Sequence, residues 1–228
     1  MAEIRSYDDF IAALTNAGFS MAGDNDEGIY AIITWGWRQP PPYDTPVEWH
    51  GADPEYDPWE WTSRVLDERS DIAYGKLFFR KCGYITEPWI PHFLAARRGD
   101  TSFYEAYEDG TFSHYAKQIY DIVAAHDRIP VHDIKKLAGF GKRDKSGFDR
   151  ALTDLQMRMY ISTCGRQQKL SQKGEAYGWS SSVFCTTDNA FGHLPKISAE
   201  EAHKKIHKQI LKLNPSAQEN KIKRFIKG

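Results

Sequence analysis

The sequence predicts an α+β fold in three parts: an acidic N-terminal segment of helices and short strands over 1–110, a helix-then-strand unit over 111–190, and basic helices over 191–228. Three observations carry this. Apolar residues recur with helical spacing in some stretches and alternate or run together in others. Proline and glycine punctuate the switches between them. Charge is segregated: residues 1–75 hold 4 Lys and Arg against 15 Asp and Glu, 131–175 hold 10 against 5, and 196–228 hold 9 against 3. At 228 residues, 41% hydrophobic and 14% aromatic, the chain can bury a real core and is not of disordered composition.

The first element is SYDDFIAALTNAGF. Ser6 is its N-cap, acidic residues fill its first turn, Phe10, Ile11, Leu14 and Ala17 share a face, and Gly18 stops it. GIYAIITW (28–35) reads as a buried strand. RQPPPYDTPVEWHGADPEYDP is a long connection, because prolines 40, 41, 42, 46, 54 and 58 remove donors and fix φ. It overlaps EWHGADPEYDPWEW, which crowds three tryptophans, a histidine and five carboxylates into 48–61. Asp57, Pro58 and Glu60 have the spacing of a helix start, with Asp as N-cap, Pro at N1 and Glu at N3. They therefore predict capping rather than catalysis, and the following helix turns Trp61, Val65 and Leu66 inward. His50 and Asp53 are not explained this way and stand as catalytic candidates, with Trp35, Trp37 and Trp49 as stacking surfaces of a pocket or as core. One histidine and one carboxylate fall short of a metal site, and no cofactor is implied.

IAYGKLFFRKCGYITEPWIPHFLAARRG reads as two strands around Gly75 and Gly83, then a short helix entered through Pro88 or Pro91. SFYEAYEDGTFSHYAKQIYDIVAAHDRI is helical, with Tyr115, Ile119, Ile122 and Val123 as its stripe. IPVHDIKKLAGF gives a short helix with Ile134, Leu137 and Ala138 inward. The basic turn GKRDKSG leads into FDRALTDLQM, whose Phe148, Ala151, Leu152 and Leu155 share a face. MYISTCG and WSSSVFCTT are strands around the polar loop GRQQKLSQKGEAYG. Three helices followed by a two-stranded hairpin is the order of a winged helix-turn-helix, whose third helix enters the major groove of DNA while the wing touches backbone or minor groove. Lys142, Arg143, Lys145 and Arg150 surround the start of that third helix, and Arg166, Lys169 and Lys173 lie on the wing among Gln167, Gln168 and Gln172. Phosphate contacts need such cations and amides, so duplex DNA is the expected partner. The competing reading is a protein-interaction module, with the basic residues solvating helices or pairing with acidic surfaces. ISAEEAHKKIHKQILKLNPSAQENKIKRFIKG closes the chain as two basic helices broken at Asn214-Pro215, with Ser198 as N-cap and Ile206, Ile210 and Leu213 as the seam of the first.

AYGKLFFRKCGYITEPWIPHFLAARR, IPVHDIKKL and FDRALTDLQMRMYISTCGR, in that order, resemble the AlkZ/YcaQ winged-helix DNA glycosylases, and more closely the bacterial AlkZ-related proteins. The resemblance covers roughly 70–185. It implies tandem winged helices enclosing a duplex, and removal of alkylated bases by N-glycosidic hydrolysis. One departure matters. Those glycosylases share a Gln-x-Gln or Gln-x-Asp pair that would polarise water, and no glutamine here has either spacing. No family catalytic residue transfers. The resemblance thus implies a DNA-binding, repair-related protein without the family's catalytic pair; the alternatives are an active glycosylase using another acid or amide, and a protein-interaction module. Cys82, Cys164 and Cys185, odd in number and without CxxC spacing, predict reduced thiols in a cytoplasm. Apolar runs are too short to span a membrane, and the N-terminal residues lack the apolar stretch of a secretory signal.

Overall fold

The computed structural model describes residues 3–170, 176–192 and 194–228. Helix α1 (Tyr7–Ala17) is capped as its sequence predicts: Ser6 accepts from the Asp9 N–H, and Gly18, at φ 89°, donates to the Leu14 carbonyl. Strand β1 (Phe19–Met21) follows. The expected strand over 28–35 does not form. Ala31 makes a single bridge to Met21, yet Ile29, Ala31, Ile32, Ile33 and Trp35 are all buried. The physical reason is where its backbone groups go: the Ile32 N–H donates to the Ser20 hydroxyl, and the Gly28 and Ile29 carbonyls accept from the Asn214 amide. Apart from the Tyr30 carbonyl, which accepts from the Met21 N–H of β1, side chains replace a neighbouring strand as partners.

Helix α2 (Pro58–Glu68) leads to the hairpin of β2 (Ile72–Phe78) and β3 (Lys81–Thr86), then α3 (Ile90–Arg97). The helical stretch after 102 is two helices, α4 (Phe103–Glu108) and α5 (His114–Ala124), because each has its own serine cap, Ser102 and Ser113, and Gly110 turns between them at φ 75°. The chain continues through β4 (Ile129–Pro130), α6 (Val131–Leu137), α7 (Lys145–Met157), β5 (Ile161–Leu170), β6 (Ala176–Thr186) and α8 (Thr187–Phe191). It ends in α9 (Ala199–Leu213) and α10 (Glu219–Lys227). The result is a mixed α+β fold on one antiparallel sheet of order β1-β3-β2-β5-β6-β4. Leu137, expected inward, is 60% exposed: α6 is only seven residues long, and Ile134 alone fills its place in the core.

Three apolar clusters hold the elements. One gathers Ile119, Val123, Ile134, Phe148, Leu155 and Phe184 from α5 to β6. A second joins α1 to the tryptophan-rich connection through Phe10, Leu14, Ile33, Trp35 and Trp61. In the third, Ile206, Ile210, Phe225 and Ile226 pack on Phe19, Phe78 and Phe93, with the Phe78 and Phe225 rings stacked at 3.9 Å. The basic C-terminal helices therefore share a core with β1–β3, and their charge lies on the outer face of an amphipathic pair. Among the described residues no helix is long and apolar enough to cross a membrane.

Candidate nucleic-acid interface and tryptophan groove

Two surface features stand out, and the second of them runs along the β5–β6 hairpin. The first is the basic start of α7. Lys142 and Arg143 sit in a single 3-10 turn over Lys142–Asp144, and Lys145 opens the helix. The turn is held by Asp144, whose carboxylate accepts from the Tyr115 hydroxyl at 2.9 Å and from the Gly141 N–H at 2.9 Å. Its acidic residue is thereby engaged locally. Lys142, Arg143, Lys145 and Arg150 are exposed, and among the described residues none pairs with a carboxylate. Arg166 differs: it is paired with Asp67 of α2 at 2.9 Å. Lys169 is half-buried on β5, and Lys173 lies outside the described residues.

The second feature is an open groove of about 700 Å³. Trp37, Trp49, Trp59, His50 and Tyr74 line it on the N-terminal side, and Arg166, Ser180 and Ser182 supply the hairpin side. Trp37 is 65% exposed and Trp59 51%, unusual for rings this large, and Arg38 lies 4.5 Å over the Trp37 ring. Trp49 is fixed by its indole N–H on the Trp35 carbonyl at 2.8 Å. Trp35 itself is buried in the core against Tyr43 and does not reach the groove, so of the three aromatics singled out by sequence two line it. Burial raises the pKa of Tyr74, with Cys82 adding to the shift, so its hydroxyl stays protonated at neutral pH.

The opening of α2 organises this wall. Asp57, only 4% exposed, accepts from the Trp59 N–H at 2.9 Å and from the His50 N–H at 3.0 Å. One carboxylate thus caps the helix bearing Trp59 and pins the loop bearing His50. That second bond holds His50 at φ 58°, in the left-handed region, with its ring against Trp59. Asp53 has a different job. It is exposed, caps the short 3-10 turn over Pro54–Tyr56 through the Glu55 N–H, and does not line the groove. The groove carboxylates are instead Asp24 and Glu60. Glu60, at the N3 position, lies along the groove wall. Asp24 comes from an irregular loop that no periodicity marks. Trp59 could have been found, since an aromatic at the second position of a capped helix lies beside the loop preceding the cap.

No described glutamine lines the groove. Gln156 is buried between α7 and β2, giving its amide N–H to the Leu152 carbonyl and accepting from the Lys76 N–H at 3.0 Å. Among the described residues no three His, Cys, Asp or Glu side chains converge as metal ligands would. Chemically, the groove offers flat π-faces for a planar ring, hydroxyls for its edges, and two carboxylates.

No curated protein matches the chain in sequence. The solved structure of the Streptomyces sahachiroi DNA glycosylase AlkZ is similar at 11% identity and a TM-score of 0.41, over 75% of this chain and 50% of that one. The chain thus spans half the length of that protein. The family comparison covers nearly the whole sequence: residues 4–227 match the family described as AlkZ related, and the chain belongs to it.

Proposed function

We propose that the protein binds duplex DNA in the cytoplasm through a winged-helix unit, and that its tryptophan groove takes an exposed nucleobase in damage recognition. The observation that carries this is the cluster of unpaired cations Lys142, Arg143, Lys145 and Arg150 at the start of α7. The order α5-β4-α6-α7-β5-β6, with β4 pairing onto β6, supports a winged helix in which α7 reads the major groove and β5–β6 is the wing. Family membership supports a repair-related role. Cations left without carboxylate partners are available to phosphate, and each phosphate neutralised releases counterion.

A second reading is an active glycosylase, favoured by the Asp24 and Glu60 carboxylates in the groove. Glycosidic hydrolysis needs a group that activates water beside a developing cation, and a carboxylate can serve. The first reading is preferred because it rests on four exposed cations, whereas the chain lacks the Gln-x-Gln or Gln-x-Asp pair that family chemistry would use. The test compares binding of a plain duplex and one with an unpaired, extrahelical base. Trp37→Ala and Trp59→Ala should weaken only the second, by about 1–3 kcal/mol for a lost stacking face. Equal losses on both duplexes, or none, would remove the groove from the reading.

A further inference from the structure

Behind the base of the hairpin, away from the tryptophans, lies a second cavity of about 420 Å³. It contains two of the three cysteines. Pairing between β5 and β6 shifts register between Thr163 and Gly165, so Cys164 is the bulged residue, while Cys185 stands opposite Ser162 on β6. A bulge re-aims a side chain. Here it brings Cys164 into the lining of the same cavity as Cys185, each thiol close enough to perturb the other. Arg128, just before β4, donates from Nε to the Cys164 sulfur at 3.5 Å and from its terminal nitrogen to the Cys164 carbonyl.

We propose that Cys164 is a peroxide-reactive thiolate and Cys185 its resolving thiol, so that oxidation staples the base of the β5–β6 hairpin with a disulfide. The chemistry balances with a hydroperoxide as oxidant. The Cys164 thiolate attacks one peroxide oxygen, the O–O bond breaks, and the leaving oxygen takes a proton as water. The Cys185 thiol then attacks the resulting sulfenic sulfur. The S–S bond forms, the S–O bond breaks, and hydroxide leaves with the thiol proton as a second water. Two sulfurs are oxidised and one peroxide is reduced.

The surroundings favour this assignment of roles. The charged groups that α2 and its C-cap residue turn toward the cavity are already engaged: Asp67 with Arg166, Glu68 with Arg64, and Arg69 with Asp71. Arg128 is left facing the sulfur, and among the described residues it has no carboxylate partner. The neighbouring Cys185 thiol, then the Arg128 guanidinium, outweigh burial and lower the Cys164 pKa to about 6. Cys185 moves the other way: its neighbour and its burial push its thiol up, so it holds the proton that the second step releases. A low-pKa attacking thiolate beside a protonated partner is the arrangement of a sensor pair, whereas a thiol merely filling the core is inert. This proposal is independent of whether the protein binds DNA.

The test uses the whole reduced protein. Brief iodoacetamide pulses across about pH 5–9, followed by peptide mapping, should give Cys164 alkylation with a midpoint near 6. Thiolate fraction weighed against the lower nucleophilicity of a weakly basic sulfur gives a rate roughly 9- to 16-fold above an unperturbed thiol of pKa about 8.5 at about pH 6, and about 2- to 3-fold at about pH 7. Arg128→Met should move the midpoint upward. Hydrogen peroxide should yield the linked Cys164–Cys185 peptide in the wild type. In Cys185→Ser it should yield a Cys164 sulfenic acid that a 1,3-dione traps. A wild-type midpoint at or above about 8.5, or peroxide-treated wild type lacking the link, overturns the proposal, and neither measurement depends on a variant folding.

Discussion

Replacing Arg97 by methionine should destabilise the protein by about 2–4 kcal/mol. Arg97 is 4% exposed, and no carboxylate among the described residues answers its charge. Its guanidinium donates from Nη1 to the Met157 carbonyl at 2.9 Å, and from Nε and Nη2 to the Ile226 and Phe225 carbonyls at 3.1 Å each. These acceptors end α7 and α10, where carbonyls lack donors from the next turn and carry the negative end of the helix dipole. The side chain lies beside the Phe78 and Phe93 rings, so one cation joins the two helices across the aromatic core. Burial, then Arg158, lowers its pKa to about 9, which still leaves it charged at neutral pH. Three hydrogen bonds to a charged donor at about 1.5–3 kcal/mol each give about 5–9 kcal/mol lost. Removing a buried cation returns several kcal/mol of desolvation, which leaves the smaller net figure. Methionine keeps most of the stem volume, so the loss reads the fork rather than a cavity. Urea unfolding followed by far-UV circular dichroism, with a slope of roughly 2–3 kcal/mol per molar, should show the midpoint fall by about 1 M. A midpoint within about 0.2 M of wild type would refute the reasoning, because the three carbonyls would then have found other partners without loss.

Three further outcomes follow from the same geometry. Asp57→Ala releases two backbone donors at once, so its loss should reach about 1–3 kcal/mol in thermal or urea unfolding; stability unchanged while DNA binding vanishes would make Asp57 a ligand-contacting residue instead. His92 is buried, accepts from the Lys205 ammonium at 2.7 Å, and has its pKa lowered by burial first and Lys205 second, against a smaller opposing effect of Glu201. The unfolded chain binds a proton at this site below about 6.5 where the folded one does not, so stability is fully present above that value and declines as pH falls below it; His92→Phe should flatten the decline between about pH 7 and 5 in urea midpoints. Single-turnover assays on duplexes carrying N-alkylated purines, scored as abasic sites, should show excision slower by about 10²–10⁴-fold than a glycosylase with a positioned water-activating group; rapid excision abolished by Glu60→Gln or Asp24→Asn would establish the glycosylase reading.

Much of the fold was legible because its signals are local. Ser6, Gly18, Asp57, Pro58 and Ser198 announce helix ends through side-chain acceptors and fixed φ, and each acts where the sequence places it. The order α5-α6-α7-β5-β6 was legible for the same reason. The segment 28–35 misled because a continuous apolar run shows that residues are buried, not what their backbone bonds to; Asn214, far along the chain, decided that. The candidate site was half legible. The cations and Trp37, Trp49 and His50 stand out by type, whereas Asp24, Glu60 and the Cys164–Cys185 pair depend on which surfaces tertiary packing and one β-bulge bring together. Asp53 drew notice only by sharing a crowded stretch with them.

The most direct measurement of DNA binding through α7 is the salt dependence of duplex affinity for the wild type and the double variant Arg143→Ala, Lys145→Ala. Fluorescence anisotropy on two duplexes of unrelated sequence, titrated at several salt concentrations, gives log K against log salt. With two phosphate contacts removed, the slope should become shallower by about 1.8 and affinity should fall on both sequences alike. An affinity and slope unchanged from wild type would contradict the account, since the exposed cations of α7 would then not be where DNA is held.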